Sequence, residues 1–143
     1  MDQLVEFASN NGLLASALIA TALAVIFNEL RLRSQGLSSI STGDAVRLIN
    51  QGAVVVDVRE KSSFNSAHIV DSRCMSTDEL LAGAAAKLKK KKAVLLVCDS
   101  GTQSARAAAA LRKSGIENVF SLKGGIAAWR QENFPVVNNA PGS

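Results

Sequence analysis

The feature that most restricts the fold of this chain is a run of 22 residues without a charged side chain, from Phe7 to Asn28. Its centre, residues 13–27, holds nothing more polar than serine and threonine. As a helix with a rise of about 1.5 Å per residue, the run is roughly 33 Å long, enough for a hydrocarbon layer of about 30 Å. We therefore expect one N-terminal transmembrane helix over about residues 7–28.

Two other interpretations of the run stay open. A core helix of a soluble protein is also apolar, but it normally carries a polar face. A cleaved signal peptide begins with basic residues, whereas here the acidic residues Asp2 and Glu6 precede the apolar run and Glu29 follows it. The first basic residues, Arg31 and Arg33, follow the run. This bias predicts a single-pass inner-membrane protein whose C-terminal body lies in the cytoplasm.

The 143-residue chain has room for one compact domain behind such an anchor. Ser34-Gln35-Gly36 is typical of a short linker, and the polar residues after Val137 are typical of a frayed end. We expect four parts: a membrane anchor over 1–33, a linker over 34–39, a folded domain over 40–137 and a disordered tail over 138–143.

Composition excludes several classes of protein. Two cysteines, Cys74 and Cys98, are too few for a disulfide scaffold, and with one histidine, His68, they provide no structural metal site. The chain has a net charge of +4 but only 4% aromatic residues and no tyrosine, so it lacks stacking platforms for single-stranded nucleic acid. We expect no metal, no cofactor and no nucleic-acid partner.

The body alternates between strand and helix signals. Its strand candidates are apolar runs without polar alternation, as in strands that are covered on both faces of a parallel sheet. This pattern predicts an α/β fold with a mainly parallel sheet and helices on both faces. The expected strands are 53–58, 93–97 and 119–122, and the expected helices are 43–51, 78–90, 104–114 and 126–132.

Cys98 directly follows the second strand candidate, and ligands of open α/β sheets bind at the carboxyl ends of strands. The loop from Cys98 to Ser104 is short and polar and precedes an alanine-rich helix. Backbone N–H groups in such a loop favour anions and thiolates, so Cys98 is a candidate nucleophile. The alternative is a buried cysteine that only fills space. A cysteine phosphatase is disfavoured, because its phosphate-binding arginine would stand at the position of Ser104.

Several motifs in the body resemble those of the rhodanese (sulfurtransferase) family over about residues 40–136. The first half contributes Val56-Asp57-Val58-Arg59-Glu60, Phe64 and His68-Ile69. The second half contributes Cys98-x-x-Gly101-x-x-Ser104, Ala107-Ala108, Leu111, Gly115, Val119, Leu122-x-Gly124-Gly125-x-x-Ala128-Trp129 and Pro135-Val136. With the preceding apolar segment, the chain is similar to the membrane-anchored single-domain rhodaneses of bacteria.

The resemblance implies a catalytic role for Cys98, which would carry sulfane sulfur as a persulfide. The implied partners are a small sulfane-sulfur donor and a thiol or cyanide acceptor. The loop that would bind the substrate comprises Asp99, Ser100, Gly101, Thr102, Gln103 and Ser104. An alternative is a catalytically weak module of the same fold, tethered to the membrane to bind another membrane protein.

Three departures from the family pattern are present. The family's glycine before His-Ile is Ala67 here, and its usual Gly-Ala after that pair is Asp71-Ser72. Gln103 replaces the common loop arginine, which removes a cation that would help to bind thiosulfate. Arg106, near the start of the following helix, is the candidate substitute for that cation.

The remaining notable residues have mainly structural interpretations. We expect His68 to be part of a structural turn, Trp129 to lie in the core and Cys74 to be inert, with a resolving thiol as the alternative. Asp57 and Arg59 are expected to pair with each other or to orient the active loop. The run Lys89–Lys92 is expected to be a solvated helix end, with contact to anionic lipid as the alternative.

Overall fold

The computed structural model describes residues 1–36, 38–88 and 93–139, and the chain divides into two compact units, 1–34 and 35–143. The first unit consists of α1 (Asp2–Asn10) and the greater part of α2 (Gly12–Gly36). The helices are separated at Asn11, whose side-chain amide and backbone N–H both donate to the carbonyl of Phe7. The expected helix over 7–28 is therefore interrupted, because an asparagine followed by glycine favours a helix end.

Within α2, the segment Gly12–Arg33 is long and apolar enough to cross a membrane. Its large apolar side chains are exposed, and Arg33 pairs with Glu29 one turn earlier at 3.6 Å. The helix continues to Gly36, so part of the expected 34–39 linker is helical, since Ser34 and Gln35 do not break a helix as proline would.

The second unit alternates strands and helices, as the sequence predicts. Its strands are β1 (Ser39–Ile40), β2 (Val54–Asp57), β3 (His68–Ile69), β4 (Arg73–Cys74), β5 (Val94–Val97), β6 (Val119–Leu122) and β7 (Val136–Val137). Its helices are α3 (Thr42–Asn50), α4 (Lys61–Ser66), α5 (Thr77–Glu79), α6 (Ala85–Leu88), α7 (Thr102–Lys113) and α8 (Gly125–Gln131), and a π-helical turn (Leu80–Ala84) joins α5 to α6.

Five strands form a parallel sheet in the order β1-β6-β5-β2-β4, and β3 pairs antiparallel with β7 in a separate ribbon. All five carboxyl ends lie at one edge, since the strands are parallel. The central position of β5 brings the residue that follows it, Cys98, to the middle of that edge.

Side chains of the central strands alternate between two apolar clusters. Leu96 and Cys98 lie in the cluster that includes Ala107 and Leu111 of α7. Leu95 and Val97 lie in the opposite cluster, with residues of α3 and α8: Ala45, Ile126 and Trp129. The mainly parallel sheet with helices on both faces is thus confirmed, because each apolar run supplies side chains to both faces.

One helix prediction of the second unit needs correction. The expected helix over 78–90 is broken at Gly83, which has a φ of 127°, a left-handed value that glycine adopts without strain. The run Lys89–Lys92, expected at the end of this helix, lies outside the described residues, as do residues 140–143 of the expected tail. Asn139 is held by a hydrogen bond from its backbone N–H to the carbonyl of Asn65.

Candidate active site

The site is built around the sulfur of Cys98. The residue follows β5 and is 2% exposed. Its sulfur accepts a hydrogen bond from the backbone N–H of Gly101 at 3.0 Å and one from the backbone N–H of Ser104 at 3.4 Å. It also shares a hydrogen bond with the hydroxyl of Ser104 at 3.3 Å. Two backbone donors and one hydroxyl therefore converge on the sulfur beside the first turn of α7, where the helix dipole favours negative charge.

Gly101 gives the loop its sharp bend. It lies directly before α7 with a φ of 90°, a left-handed conformation that glycine adopts without strain. A Cβ at this position would lie 2.9 Å from the backbone nitrogen of Gly124 and 3.0 Å from the carbonyl oxygen of Leu122. The loop thus packs backbone against backbone on the turn after β6.

The same turn anchors the carbonyl groups of the loop. The carbonyl of Cys98 accepts from the backbone N–H of Ile126 at 2.8 Å, and that of Asp99 accepts from Ala127 at 3.3 Å. Gly125, with a φ of 62°, has no room for a Cβ, which would lie 2.3 Å from the carbonyl oxygen of Cys98. N–H groups at the start of α8 therefore bond the carbonyls of Cys98 and Asp99, while N–H groups of the loop itself bond the Cys98 sulfur.

The other predicted loop residues make different contacts. Ser100 donates to the Thr102 hydroxyl at 3.4 Å, and both residues are exposed. Gln103 turns back toward β2 and α5, with its amide nitrogen 3.5 Å from both the Val58 carbonyl and the Thr77 hydroxyl. Asp99 is exposed, and its carboxylate lies 3.7 Å from the guanidinium of Arg59. Of the six predicted loop residues, the structure brings Gly101 and Ser104 to the sulfur.

Asp57 and Arg59 form a buried ion pair at the end of β2. The Arg59 guanidinium donates to the Asp57 carboxylate at 2.7–3.1 Å, and their side chains are 6% and 1% exposed. This hydrogen bonding raises the pKa of Arg59 above its usual value, against the opposing effect of burial. Arg59 also donates to the Ala67 carbonyl at 2.6 Å. Asp57 and Arg59 thus pair with each other, and Arg59 contacts Asp99 of the active loop. This geometry agrees both with mutual pairing and with orientation of the loop.

Comparison with known proteins gives the family. Residues 41–132 match the model of the rhodanese-like domain. The chain is 36% identical over 140 residues to the uncharacterized protein YibN of Escherichia coli, and the matched region covers 96% of this chain and 98% of the relative. The chain belongs to the rhodanese family. Membership in it suggests sulfurtransferase activity.

Two further matches fall on the rhodanese domain. A thiosulfate sulfurtransferase, GlpE of Pseudomonas savastanoi, is 41% identical over 86 residues, 60% of this chain and 80% of the relative. The crystal structure of a rhodanese-related protein from Thermoplasma volcanium has a TM-score of 0.60 and 31% identity, covering 69% of this chain and 96% of the other. The α/β architecture is therefore shared with solved rhodaneses.

The departures from the family pattern have distinct structural consequences. Ala67 is extended, with a φ of −165°, which any residue adopts. Asp71 has a φ of 60° in a turn closed by a hydrogen bond from the Ser72 N–H to the Ile69 carbonyl, a position that favours glycine. The hydroxyl of Ser72 is buried without a hydrogen-bond partner in the described part of the chain. The alanine that the family usually has at position 72 carries no hydroxyl to bury.

The other residues singled out from the sequence have structural surroundings in the rhodanese domain. The ring of His68 stacks on Phe64 at 3.9 Å, and its Nδ1 lies 2.7 Å from the Phe64 carbonyl oxygen. Trp129 is 4% exposed and donates to the Pro135 carbonyl. Burial raises the pKa of the Cys74 thiol, and nearby Asp57 acts in the same direction, which agrees with an inert residue. Arg106 is exposed, and its role stays a prediction.

Two residues near the loop escaped the sequence reasoning. The hydroxyl of Ser121 in β6 lies 2.7 Å from that of Ser104, and both residues are fully buried. The available signal was a single hydroxyl inside an otherwise apolar strand. Lys123 lines a cavity of about 280 Å³ beside the loop, together with Ser39, Ser100, Gly101, Thr102, Ala105 and Gly124. The available signal was a positive charge directly after the third strand candidate.

Proposed function

We propose that this rhodanese is a membrane-anchored sulfurtransferase that carries sulfane sulfur as a persulfide on Cys98. The observation that supports the proposal most is the pair of backbone donors on the Cys98 sulfur, the N–H groups of Gly101 and Ser104, with the Ser104 hydroxyl oxygen 3.3 Å from the same sulfur. Such donors stabilise a thiolate, which is the nucleophilic form of cysteine, without a neighbouring histidine base.

The proposed reaction has two displacements. The Cys98 thiolate attacks the outer sulfur of a sulfane donor, the sulfur–sulfur bond of the donor breaks, and the leaving group departs with the electron pair. Cys98 then holds one extra sulfur atom as a persulfide. A thiol or cyanide acceptor attacks that outer sulfur, and the electron pair of the breaking bond returns to Cys98 as a thiolate. Division into two steps replaces one difficult transfer by two easier ones.

The choice of donor depends on the charge around the loop. Because Gln103 stands where rhodaneses commonly have arginine, residues 98–104 carry no cation. An anionic donor such as thiosulfate would then depend on the loop N–H groups and on Lys123, which lines the adjacent cavity. We infer that the enzyme takes small sulfane donors and depends less on donor charge than a rhodanese with the loop arginine.

The proposed anchor is the Gly12–Arg33 segment of α2. It has a mean hydropathy of 2.0, its large apolar side chains are exposed, and a basic pair, Arg31 and Arg33, stands at its C-terminal end. Basic residues accumulate on the cytoplasmic side of a span, so we propose that the rhodanese domain faces the cytoplasm from the inner membrane. Membrane fractionation followed by protease protection of a C-terminal epitope in spheroplasts tests this orientation.

Mass spectrometry of the intact full-length protein tests the chemistry. After exposure to thiosulfate or another sulfane donor, the protein should gain the mass of one sulfur atom, and a reductant should remove it. Cys98→Ser should abolish the gain, and Cys74→Ser, the matched control, should leave it unchanged. A gain that disappears with Cys74→Ser, or no gain with any of several donors, contradicts the proposal.

The lack of a cation in residues 98–104 also favours a second candidate, a membrane-tethered binding module with weak catalysis. Its partner would be another membrane protein, which the anchor brings into the same bilayer. Co-purification that survives Cys98→Ser and is lost on deletion of residues 1–33 supports this second function. Loss of the partner with Cys98→Ser opposes it.

A further inference from the structure

We propose that Ser121 is a positioning residue that orients the Ser104 hydroxyl toward the Cys98 sulfur. The inference rests on the proposed role of Cys98 and adds a residue outside the active loop to that site. Ser121 lies in β6, 17 positions along the chain from Ser104, and the sheet brings their hydroxyl oxygens to 2.7 Å.

The two hydroxyls form a closed group around one carbonyl. Besides their mutual contact, the Ser104 oxygen lies 3.3 Å and the Ser121 oxygen 3.5 Å from the carbonyl oxygen of Gly101. Both serines are 0% exposed. The Ser104 proton therefore has three possible acceptors, the Gly101 carbonyl, the Ser121 hydroxyl and the Cys98 sulfur. The Ser121 proton has two, the Gly101 carbonyl and the Ser104 hydroxyl.

Counting protons links the direction of these bonds to the charge on sulfur. When Cys98 is a thiolate, Ser104 donates to the sulfur and Ser121 donates to Ser104, so the anion keeps its hydroxyl donor. When Cys98 is a thiol, its S–H group donates a hydrogen bond to the Ser104 oxygen. The Ser104 hydroxyl then donates to Ser121, and the Ser121 hydroxyl donates to the Gly101 carbonyl. Every proton has an acceptor in both arrangements, and the change requires only the rotation of two hydroxyl groups.

The same group accommodates the persulfide. Once a second sulfur is attached, the negative charge lies on the outer atom, and the Cys98 sulfur has neither charge nor proton. The Ser104 hydroxyl then turns to the Gly101 carbonyl, 3.3 Å away. That carbonyl competes with the Cys98 sulfur for the Ser104 proton, since both lie 3.3 Å from the Ser104 hydroxyl oxygen. Ser121 therefore strengthens donation to the thiolate by donating to Ser104, since chained hydrogen bonds polarise one another.

The test is the pH profile of Cys98 alkylation by iodoacetamide in the detergent-solubilised full-length protein. A Cys74→Ser background leaves one thiol. We expect Ser121→Ala to move the midpoint of the profile upward by roughly half to one pH unit, which slows alkylation about three- to tenfold below the midpoint. The charged groups on the elements around Cys98 are unchanged by the substitution: Asp57, Arg59, Asp99, Arg106 and Lys123.

A double-mutant cycle separates positioning from a merely structural role. If Ser121 acts through Ser104, Ser121→Ala should add no further shift in a Ser104→Ala background. Ser114→Ala is the control, since that hydroxyl bonds the Leu111 carbonyl at the far end of α7. A folded Ser121→Ala protein with the parent midpoint overturns the inference, as does an equal shift in the Ser104→Ala background.

A second pair of variants tests the inference if Ser121→Ala does not fold. Ser121→Thr keeps the hydroxyl and Ser121→Val replaces it with a methyl group of similar shape, so the midpoint should rise in the valine variant relative to the threonine variant. Equal midpoints overturn the inference. Alkylation needs no sulfur donor, so a protein that shows these shifts but never gains a sulfur atom contradicts the proposed function and leaves the positioning role intact.

Discussion

Two turns of the rhodanese domain differ in how closely the chain around them is packed. The turn after β6, residues 122–125, touches the active loop through its backbone. A Cβ on Gly125 would lie 2.3 Å from the carbonyl oxygen of Cys98 and 2.6 Å from that of Asp99. A side chain at that position must therefore displace the carbonyls that α8 engages, so geometry demands glycine there.

The turn after β3, residues 69–72, shows the opposite behaviour. Asp71 adopts a left-handed φ of 60° without being glycine, and the buried Ser72 hydroxyl has no partner in the described residues. Asp71 is exposed, so its side chain meets solvent and the strain stays local. The comparison teaches that a positive φ alone is a small cost, whereas a positive φ combined with backbone contact to the active loop is a large one.

The largest expected effect is that of Gly125→Ala. We expect a loss of more than about 4 kcal/mol in the free energy of unfolding, or a protein that does not fold, because strain and a backbone collision combine. Gly115→Ala is the matched control: its φ of 96° is also left-handed, but a Cβ there meets nothing within 4 Å. Chemical denaturation measures both. Equal losses in the two variants would show that contact with the loop adds nothing.

The Arg59 guanidinium contacts the Ala67 carbonyl, directly before β3, and Asp99 in the active loop. Arg59→Met should lower the free energy of unfolding by about 3 kcal/mol, because Asp57 is left as a buried, uncompensated charge. Arg47→Met, which breaks an exposed pair with Asp44, should cost less than about 0.5 kcal/mol.

A further variant isolates the origin of the Arg59 effect. In Asp57→Leu/Arg59→Met both charges are absent, and stability should recover in part relative to Arg59→Met alone. A double variant that is less stable than Arg59→Met would show that the hydrogen bonds of Asp57, and not its unpaired charge, dominate.

The sequence predicted the parts of the fold that rest on apolar runs of several residues. The runs before Asp57 in β2 and through β5 are continuous in apolar residues, and β6 is apolar apart from Ser121, and this gave the parallel sheet with two covered faces. Strands of two residues, such as β1 and β4, were missed because two residues carry no periodicity. The break at Asn11 and the kink at Gly83 were missed because single weak helix formers are often tolerated within a helix.

The candidate site was predictable from the sequence only within the loop. Cys98, Gly101 and Ser104 are close in the chain, and the motif with its resemblance identified all three. Ser121 was out of reach because its contact with Ser104 is made by the pairing of β5 with β6. Whether Gln103 bonds the Val58 carbonyl or faces a ligand likewise depends on the tertiary fold.

Ser72→Ala tests the other turn with an expected gain. Alanine removes a buried hydroxyl that has no partner among the described residues, so the free energy of unfolding should rise by about 1 kcal/mol. Ser66→Ala is the control, because that exposed hydroxyl bonds the Ser63 carbonyl within α4 and its loss should change little. Reduced stability in Ser72→Ala would indicate that the hydroxyl has a partner, such as an ordered water.

The smallest expected effect concerns Asp71, whose left-handed conformation aspartate tolerates better than most residues. Asp71→Gly relieves the remaining strain but gives the unfolded chain more freedom, so the two contributions should cancel to within about 0.5 kcal/mol. Asp71→Ala removes the polar side chain and keeps a Cβ at a φ of 60°, so it should cost about 1 kcal/mol. Thermal unfolding of both variants measures the difference. If alanine is as stable as glycine here, this turn relaxes to another conformation, and the contrast with Gly125 arises from backbone freedom as well as from contact with the loop.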